Sequence, residues 1–368
     1  VLLHWFSSAS ACWSTAPWNP WSDRAVVDRQ CRSQRGTYMQ SAADFIADTY
    51  ALGTGPWTMT PVTRGALGQI WKLSANGSSW AVKELLFGCD ERQIDREAAL
   101  RNATEKLGIS SPRLIPNRTD AYVSQLAPSL GGSYVKLYDW VDGTETDASD
   151  PEILSWCGRT LAMLHRAGES ADETPNAWYE QCPQGADWEK LHKEIRRADL
   201  PWSDALGRFI DTSAAELALH VTPSGTGDDL VTSHLDMQPR NVLVGPGGPV
   251  LLDWDNAGSI SAERELARAV YVWAGGNHFH ADSARRLMRA YLDAGGPAVI
   301  KGLDSFSMLF ATDLNFVQVQ AECAVDPTVT AAQREFASNL VVACLRTLPD
   351  LTAVSRLAEV LEAECRRP

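Results

Sequence analysis

His234-Leu235-Asp236-Met237-Gln238-Pro239-Arg240-Asn241, followed by Val250-Leu251-Leu252-Asp253-Trp254-Asp255, is the stretch on which the reading of this chain turns. It sets a carboxylate, an amide and a second carboxylate at fixed spacing beside two short apolar runs. Residues 230–233 lead in as a strand. Residues 242–244 and 250–252 make a hairpin over Gly245-Pro246-Gly247-Gly248, with Asp253 at its exit. Such a set suits phosphoryl transfer from a nucleoside triphosphate. Asp236 would orient the attacking hydroxyl and accept its proton, and Asn241 and Asp253 offer the hard oxygen ligands that Mg2+ prefers. His234 reads as a structural hydrogen-bonder. Asp255 either supports the metal ligands or turns the chain.

Upstream, residues 57–63, 70–74 and 80–86 read as strands, with Asn76-Gly77 as the hairpin turn between the last two. Residues 91–107 have helical spacing, with Ile94, Ala98 and Leu107 on one side. Strand-like runs at 121–126 and 134–141 follow. Lys83 closes Ala-Val-Lys at a strand end, where a cation could reach phosphates, and Glu97 in the next helix could anchor it. Gly65 and Gly68 lie between two strands, where backbone N–H groups could face phosphates or simply close a hairpin. The connector 137–143 offers backbone groups to an adenine, and apolar side chains such as Trp140 and Val141 could sandwich the ring.

After Gly143 the pattern turns helical, at 151–167, 188–198, 204–220, 262–274, 281–294, 305–322, 331–348 and 351–366. The organisation expected is therefore a leader (1–38), a sheet-rich nucleotide-binding lobe (39–142) and a helical lobe carrying the catalytic and metal loops (143–368). The leader holds four of the 14 tryptophans without periodicity and reads as disordered or foreign, with the native start near Met39.

Net charge is −13, and residues 39–368 carry 29 basic against 44 acidic side chains. That surface repels phosphate backbones, which argues against nucleic acid, and it would attract a cationic ligand. No run of 18 apolar residues suggests a membrane span, and no secretory signal is evident. The eight cysteines are scattered without a CxxC pair, the pattern of idle thiols in a cytoplasmic protein rather than of a zinc site or a disulfide framework. His278-Phe279-His280 reads as a loop. No G-x-S-x-G or H-E-x-x-H occurs, which disfavours a serine hydrolase or a zincin.

Ser233-His-Leu-Asp-Met-Gln-Pro-Arg-Asn-Val-Leu-Val, Leu251-Leu-Asp-Trp-Asp-Asn-Ala-Gly and Leu161-Ala-Met-Leu-His-Arg-Ala together resemble the aminoglycoside phosphotransferase and choline kinase family of protein-kinase-like small-molecule kinases. The resemblance covers about residues 55–350 and is strongest at 230–275. It implies an α+β, bilobal fold and transfer of the γ-phosphate of ATP, with Mg2+, to a hydroxyl of a small molecule. By matching position it makes Asp236 the base, Asn241 and Asp253 the magnesium ligands, and Lys83 with Glu97 the phosphate-positioning pair. Two departures stand out: Leu235 where many relatives have Gly, and Glu265 where Asp is usual. The acidic large lobe suits a polycationic acceptor, to which Glu180, Asp187, Glu189, Asp282, Asp313 and Glu322 could contribute. Choline, amino alcohols, sugars, homoserine and macrolides are alternatives, as is a catalytically silent nucleotide-binding module. The lack of Asp-Phe-Gly and Ala-Pro-Glu segments argues against a protein acceptor.

Overall fold

The computed structural model describes residues 28–65, 68–169, 171, 173–224 and 229–366, with side chains from Tyr38 onward. Most of the expected leader lies outside these residues. From Asp28 the chain is helical, so the helix-like stretch after Met39 is the second half of a longer helix. The described residues fall into two compact units, one of 28–144 with 243–256 and one of 145–242 with 257–366. The hairpin that ends at Asp253 thus counts with the sheet rather than with the helices that flank it in sequence.

In the first unit, helix α1 (Asp28–Thr49) precedes strands β1 (Thr58–Arg64), β2 (Gly68–Ala75) and β3 (Ser78–Leu85). Helix α2 (Glu91–Glu105) and strands β4 (Leu114–Ile115), β5 (Ser124–Gln125) and β6 (Tyr134–Asp139) follow. The antiparallel sheet runs β1-β2-β3-β6-β4, with β5 also on β6. Asn76 and Gly77 turn β2 into β3 with φ of 52° and 80°, the left-handed pair that a two-residue hairpin needs. Strand side chains alternate between faces. One face, with Leu73, Val82, Val135 and Leu137, is sealed by Met39, Ala43, Ile46 and Tyr50 of α1. The Tyr50 hydroxyl donates to the Val135 carbonyl at 3.0 Å. Full burial of each such aliphatic side chain contributes roughly 1.5–3 kcal/mol. The other face meets α2 through Ile94 and Ala98, and there Lys83 and Lys136 point.

Asp90 starts α2 by accepting from the backbone N–H groups of Arg92 and Gln93. The helix ends at Glu105, so Leu107, expected on its apolar side, is instead exposed beyond it. The strand expected over 121–126 shrinks to Ser124–Gln125, because Asn117 folds the preceding segment into a turn by accepting from Thr119 and Ala121.

In the second unit, the short strand β7 (Thr144–Glu145) leads to α3 (Pro151–Ala167), α4 (Ala177–Glu180), α5 (Gly185–Arg197), α6 (Ser203–Phe209) and α7 (Ala215–Ala218). The helix expected over 204–220 is interrupted by a π turn at Ile210–Ala214, beside which the Thr212 hydroxyl donates back to the Arg208 carbonyl. Strand β8 (Leu230–Ser233) precedes the catalytic-type loop; the hairpin strands that follow it, β9 (Val242–Gly245) and β10 (Gly248–Leu251), belong from Leu243 onward to the first unit. Strand β11 (Gly258–Ser261) has little apolar pattern and is not legible in the sequence. It pairs antiparallel with β8 and leads straight into α8 (Ala262–Ala274). Helices α9 (Ala281–Asp293), α10 (Ser307–Val325), α11 (Ala331–Thr347) and α12 (Leu351–Cys365) complete the unit. Helix α10 is buried nearly all round, from Met308 and Phe310 to Phe316 and Val317, and forms the centre of this bundle. Among the described residues no helix is long and apolar enough to cross a membrane, and the six cysteines with described side chains are free.

Candidate active site

The residues singled out from the sequence gather in two places, one in each unit. In the sheet unit, Lys83 on β3 and Lys136 on β6 stand directly opposite each other in the antiparallel ladder. Like charges so placed repel, and each needs a carboxylate. Lys83 Nζ lies 2.6 Å from Asp253 Oδ1 and 2.7 Å from Asp255 Oδ2. Lys136 Nζ lies 2.6 Å from both Glu97 Oε2 and Asp255 Oδ1. The Tyr138 hydroxyl donates to Glu97 Oε1 at 2.6 Å, and the Gln93 amide of α2 donates to the Asp255 carbonyl at 2.8 Å. The chain Glu97–Lys136–Asp255–Lys83–Asp253 runs outward, with side-chain exposures of 0, 2, 18, 11 and 37 %.

Burial alone would lower the pKa of both lysines. The carboxylates outweigh it, Asp253 and Asp255 for Lys83, Asp255 and Glu97 for Lys136, so both ammonium groups are held above their ordinary range. Burial likewise opposes the charge of Asp255, yet Lys136 and Lys83 hold it below the usual carboxylate range. For the deeper Glu97, burial pushes the carboxyl up despite Lys136.

This arrangement corrects one expectation. Glu97 does not anchor Lys83; its carboxylate is taken by Lys136 and Tyr138, while Lys83 turns to the two aspartates that follow β10. Lys136 is the residue the sequence reading passed over. The visible signal was a lone Lys inside an otherwise apolar strand, Tyr134-Val-Lys-Leu-Tyr. Asp255, left open between two roles, lies in a short 3-10 turn and is also bound by both lysines.

Gly65 and Gly68 close the β1–β2 hairpin through a Gly65 N–H to Gly68 carbonyl bond of 2.9 Å. A Cβ at Gly68 would lie 3.0 Å from the Glu84 carbonyl and 3.3 Å from Lys83 Cε, so this glycine makes room for the lysine stem. Trp140 and Val141 follow β6 directly and are half-buried. The Trp140 indole donates to Asp142 at 2.8 Å, and the Lys72 ammonium sits 4.3 Å from its ring centre.

In the helical unit, β8 delivers His234-Leu235-Asp236 to a loop closed by a 3-10 turn at Pro239–Asn241. Asn241 Nδ2 donates to Asp236 Oδ2 at 2.7 Å and to its carbonyl at 3.0 Å. The Gln238 amide and Arg268 Nη2, at 3.2 Å, donate to Asp236 Oδ1. His234 acts as the structural partner expected of it, accepting the Asp236 N–H at Nδ1. Asp236 is fully buried.

Leu235 sits at φ 62°, a left-handed conformation that costs an L-residue roughly 1–2 kcal/mol, which explains why glycine suits this position. Its backbone is clamped on both sides. The N–H donates to Glu265 Oε1 at 2.7 Å and the carbonyl accepts from Arg268 Nη1 at 3.1 Å. Glu265 also meets His165 Nε2 at 2.9 Å, and His165 Nδ1 meets the Tyr291 hydroxyl at 2.8 Å. Burial opposes the Glu265 charge, but His165 brings its pKa below the ordinary value. Arg268 and Tyr291 are further residues the sequence reading missed. Glu265, noted only as a departure, proves to be the clamp.

Several acidic residues considered for an acceptor have other work. Glu180 holds Ser224 and Arg264, Asp187 caps α5, and exposed Asp282 pairs with Arg285. Glu322 accepts from the Gln318 amide at 3.0 Å. Burial pushes its carboxyl up, helped by Glu194 and Asp187 nearby and opposed by Gln318 and Lys190.

Among the described residues, no donor reaches Asp253 Oδ2 or Asn241 Oδ1. Both are hard oxygen atoms on short side chains, the donor type that suits Mg2+, which takes few protein ligands. No His/Cys/Asp/Glu cluster of metal-binding geometry occurs among the described residues, the 278–280 loop included.

Comparison with known proteins gives the family. The sequence profile of the phosphotransferase enzyme family, APH, matches residues 58–303. The chain belongs to that family, and it is a phosphotransferase. Among solved structures, it is similar to a spectinomycin phosphotransferase in complex with ADP and spectinomycin, with a TM-score of 0.59 and 15% identity over 88% of this chain and 98% of that one. It also resembles amicoumacin kinase with AMP-PNP and Ca2+ (TM-score 0.56, 14% identity, 88% and 99% covered). A microcompartment-associated aminopropanol kinase is similar as well (0.54, 14%, 87% and 99%). These likenesses carry the fold, which is the protein-kinase-like α+β fold. No curated protein matches by sequence.

Proposed function

We propose that this chain transfers the γ-phosphate of ATP to a hydroxyl of a small, cationic molecule, with Asp236 as the base. The observation that carries the reading is the Asp236 carboxylate, buried and fixed by Asn241 at 2.7 Å and by Arg268 at 3.2 Å. Arg268 favours the charged carboxylate, and the clamp on Leu235 fixes its direction. The acceptor hydroxyl displaces the Gln238 amide from Oδ1 and gives its proton to Asp236 as its oxygen bonds to the γ-phosphorus. The bond from phosphorus to the β–γ bridging oxygen breaks, and ADP leaves with that electron pair. Lys83, with its short chain of carboxylates, supplies the cation for the phosphates. Asn241 and Asp253 would hold Mg2+, which when bound neutralises charge building on the phosphate oxygens. The Gly65–Gly68 turn and the Trp140-Val141 connector would flank the phosphates and the adenine.

The cationic acceptor rests on the acidic surplus of the chain, a net charge of −13. A cytoplasmic setting, where ATP is at hand, suits the free cysteines. The test is ADP release with Mg·ATP across aminoglycosides, choline, amino alcohols, sugars and macrolides, with Asp236→Asn alongside. Release with a cationic class, absent in the variant, is expected. Turnover of wild-type kind in a folded Asp236→Asn protein would remove Asp236 from its role.

A further inference from the structure

We infer that Lys136 is a positioning residue of this site, the permanent tie between α2 and the Asp253–Asp255 segment, which leaves Lys83 to serve the nucleotide phosphates alone. The inference rests on the kinase reading above and adds a second lysine to it. Three observations carry it. Lys136 and Lys83 are register partners, so the pair is built into the β3–β6 ladder. Lys136 is 2% exposed and bound at 2.6 Å on each side by Glu97 and Asp255. Lys83 lies at the outer end of the chain, against Asp253, the most exposed of the carboxylates.

A buried ammonium held by two carboxylates cannot leave without stranding Glu97, which is wholly buried. Lys83 faces the opposite situation, since phosphate oxygens can replace the aspartates as its partners. The two lysines therefore divide the labour that a single lysine with a helix glutamate would have to share. Gln93 reinforces the tie by holding the Asp255 carbonyl from the same helix. Through Asp255, Lys136 fixes the backbone two residues beyond Asp253, and so the direction from which that carboxylate is presented.

The experiment is a pair of double-variant cycles on the full chain, read first by thermal melting without nucleotide. Lys136→Met and Glu97→Gln should be strongly non-additive, the double variant melting about 5 °C above the sum of the single effects. Lys83→Met with Glu97→Gln should be additive. The reverse pattern would overturn the inference.

The second reading is kinetic, per folded molecule. Lys136→Met should lower kcat about tenfold with nucleotide KM nearly unchanged, whereas Lys83→Met should raise nucleotide KM about tenfold. Lys136→Arg, which keeps the charge, should recover part of the lost kcat. A Lys136→Met protein with wild-type kcat per folded molecule would make the residue merely structural and overturn its positioning role. Wild-type protein that binds no Mg·ATP would overturn the functional reading and with it the role assigned here. The melting data, which need no nucleotide, separate that outcome from an absent Lys136–Glu97 pair.

Discussion

The two clusters of candidate site residues, one in each unit, are held by different physics. Around Lys83 and Lys136, side-chain charges link β3, β6, α2 and the turn after β10 in an alternating series of two cations and three carboxylates. Around Asp236, the backbone itself is gripped: a left-handed Leu235 is held by Glu265 and Arg268, and Gln238, Asn241 and Arg268 bind the carboxylate. The first arrangement can exchange partners when a phosphate arrives. The second resists movement, which is what a base aimed at one hydroxyl requires. An exchangeable charge relay and a rigid pivot are thus built in separate units of one chain.

The sharpest way to separate them is by loss of turnover. Asp236→Asn should lower kcat by about 10²–10⁴-fold in the molecules that remain folded, as steady-state kinetics per folded molecule would report. The charge relay should fail in the opposite manner, through stability. Lys136→Met strands a buried Glu97 and should cost about 3–5 kcal/mol in urea unfolding. A cost near zero would mean that Glu97 finds another partner and that the relay is looser than its geometry implies.

Smaller effects probe the pivot. Leu235→Ala loses a buried side chain and keeps the left-handed strain, whereas Leu235→Gly loses the same burial and sheds the strain. The glycine variant should therefore be the more stable by about 1 kcal/mol, reversing the usual order of these two residues. Equal stabilities in denaturant titrations would show that the clamp, not the φ angle, dominates. The smallest effect is one of pH. Because the folded-state pKa of Glu265 lies below its ordinary value of 4.5, its contribution to stability is present above that pH and is lost as pH falls through the folded pKa. Glu265→Gln should flatten part of the stability loss below pH 4.5, seen as a shallower fall of urea midpoint with acidification.

The same contrast explains what could be read from the sequence. Asp236 and Asn241 lie five residues apart and bind each other, so their pairing is local and their spacing, with the strands around it, marked them as candidates. The strands and helices followed their apolar periods, and the Asn76-Gly77 turn fixed one register outright. The relay was not legible because its bonds span 39, 119 and 170 residues and depend on which strand lies beside which. Nothing local tells that β6 pairs with β3 so as to set Lys136 against Lys83. For the same reason the sequence pattern assigned Glu97 to the wrong lysine. Arg268 escaped although its helix, α8, was legible, because its bonds to Leu235 and Asp236 span 33 and 32 residues.

The central claim is that Asp253 belongs to nucleotide and metal binding while Asp236 belongs to chemistry. It is tested most directly by calorimetric titration of Mg·ATP into wild type, Asp253→Asn and Asp236→Asn. The account predicts at least about tenfold weaker binding for Asp253→Asn and affinity within threefold of wild type for Asp236→Asn. Equal loss in both, or binding that Asp253→Asn leaves untouched, would contradict it.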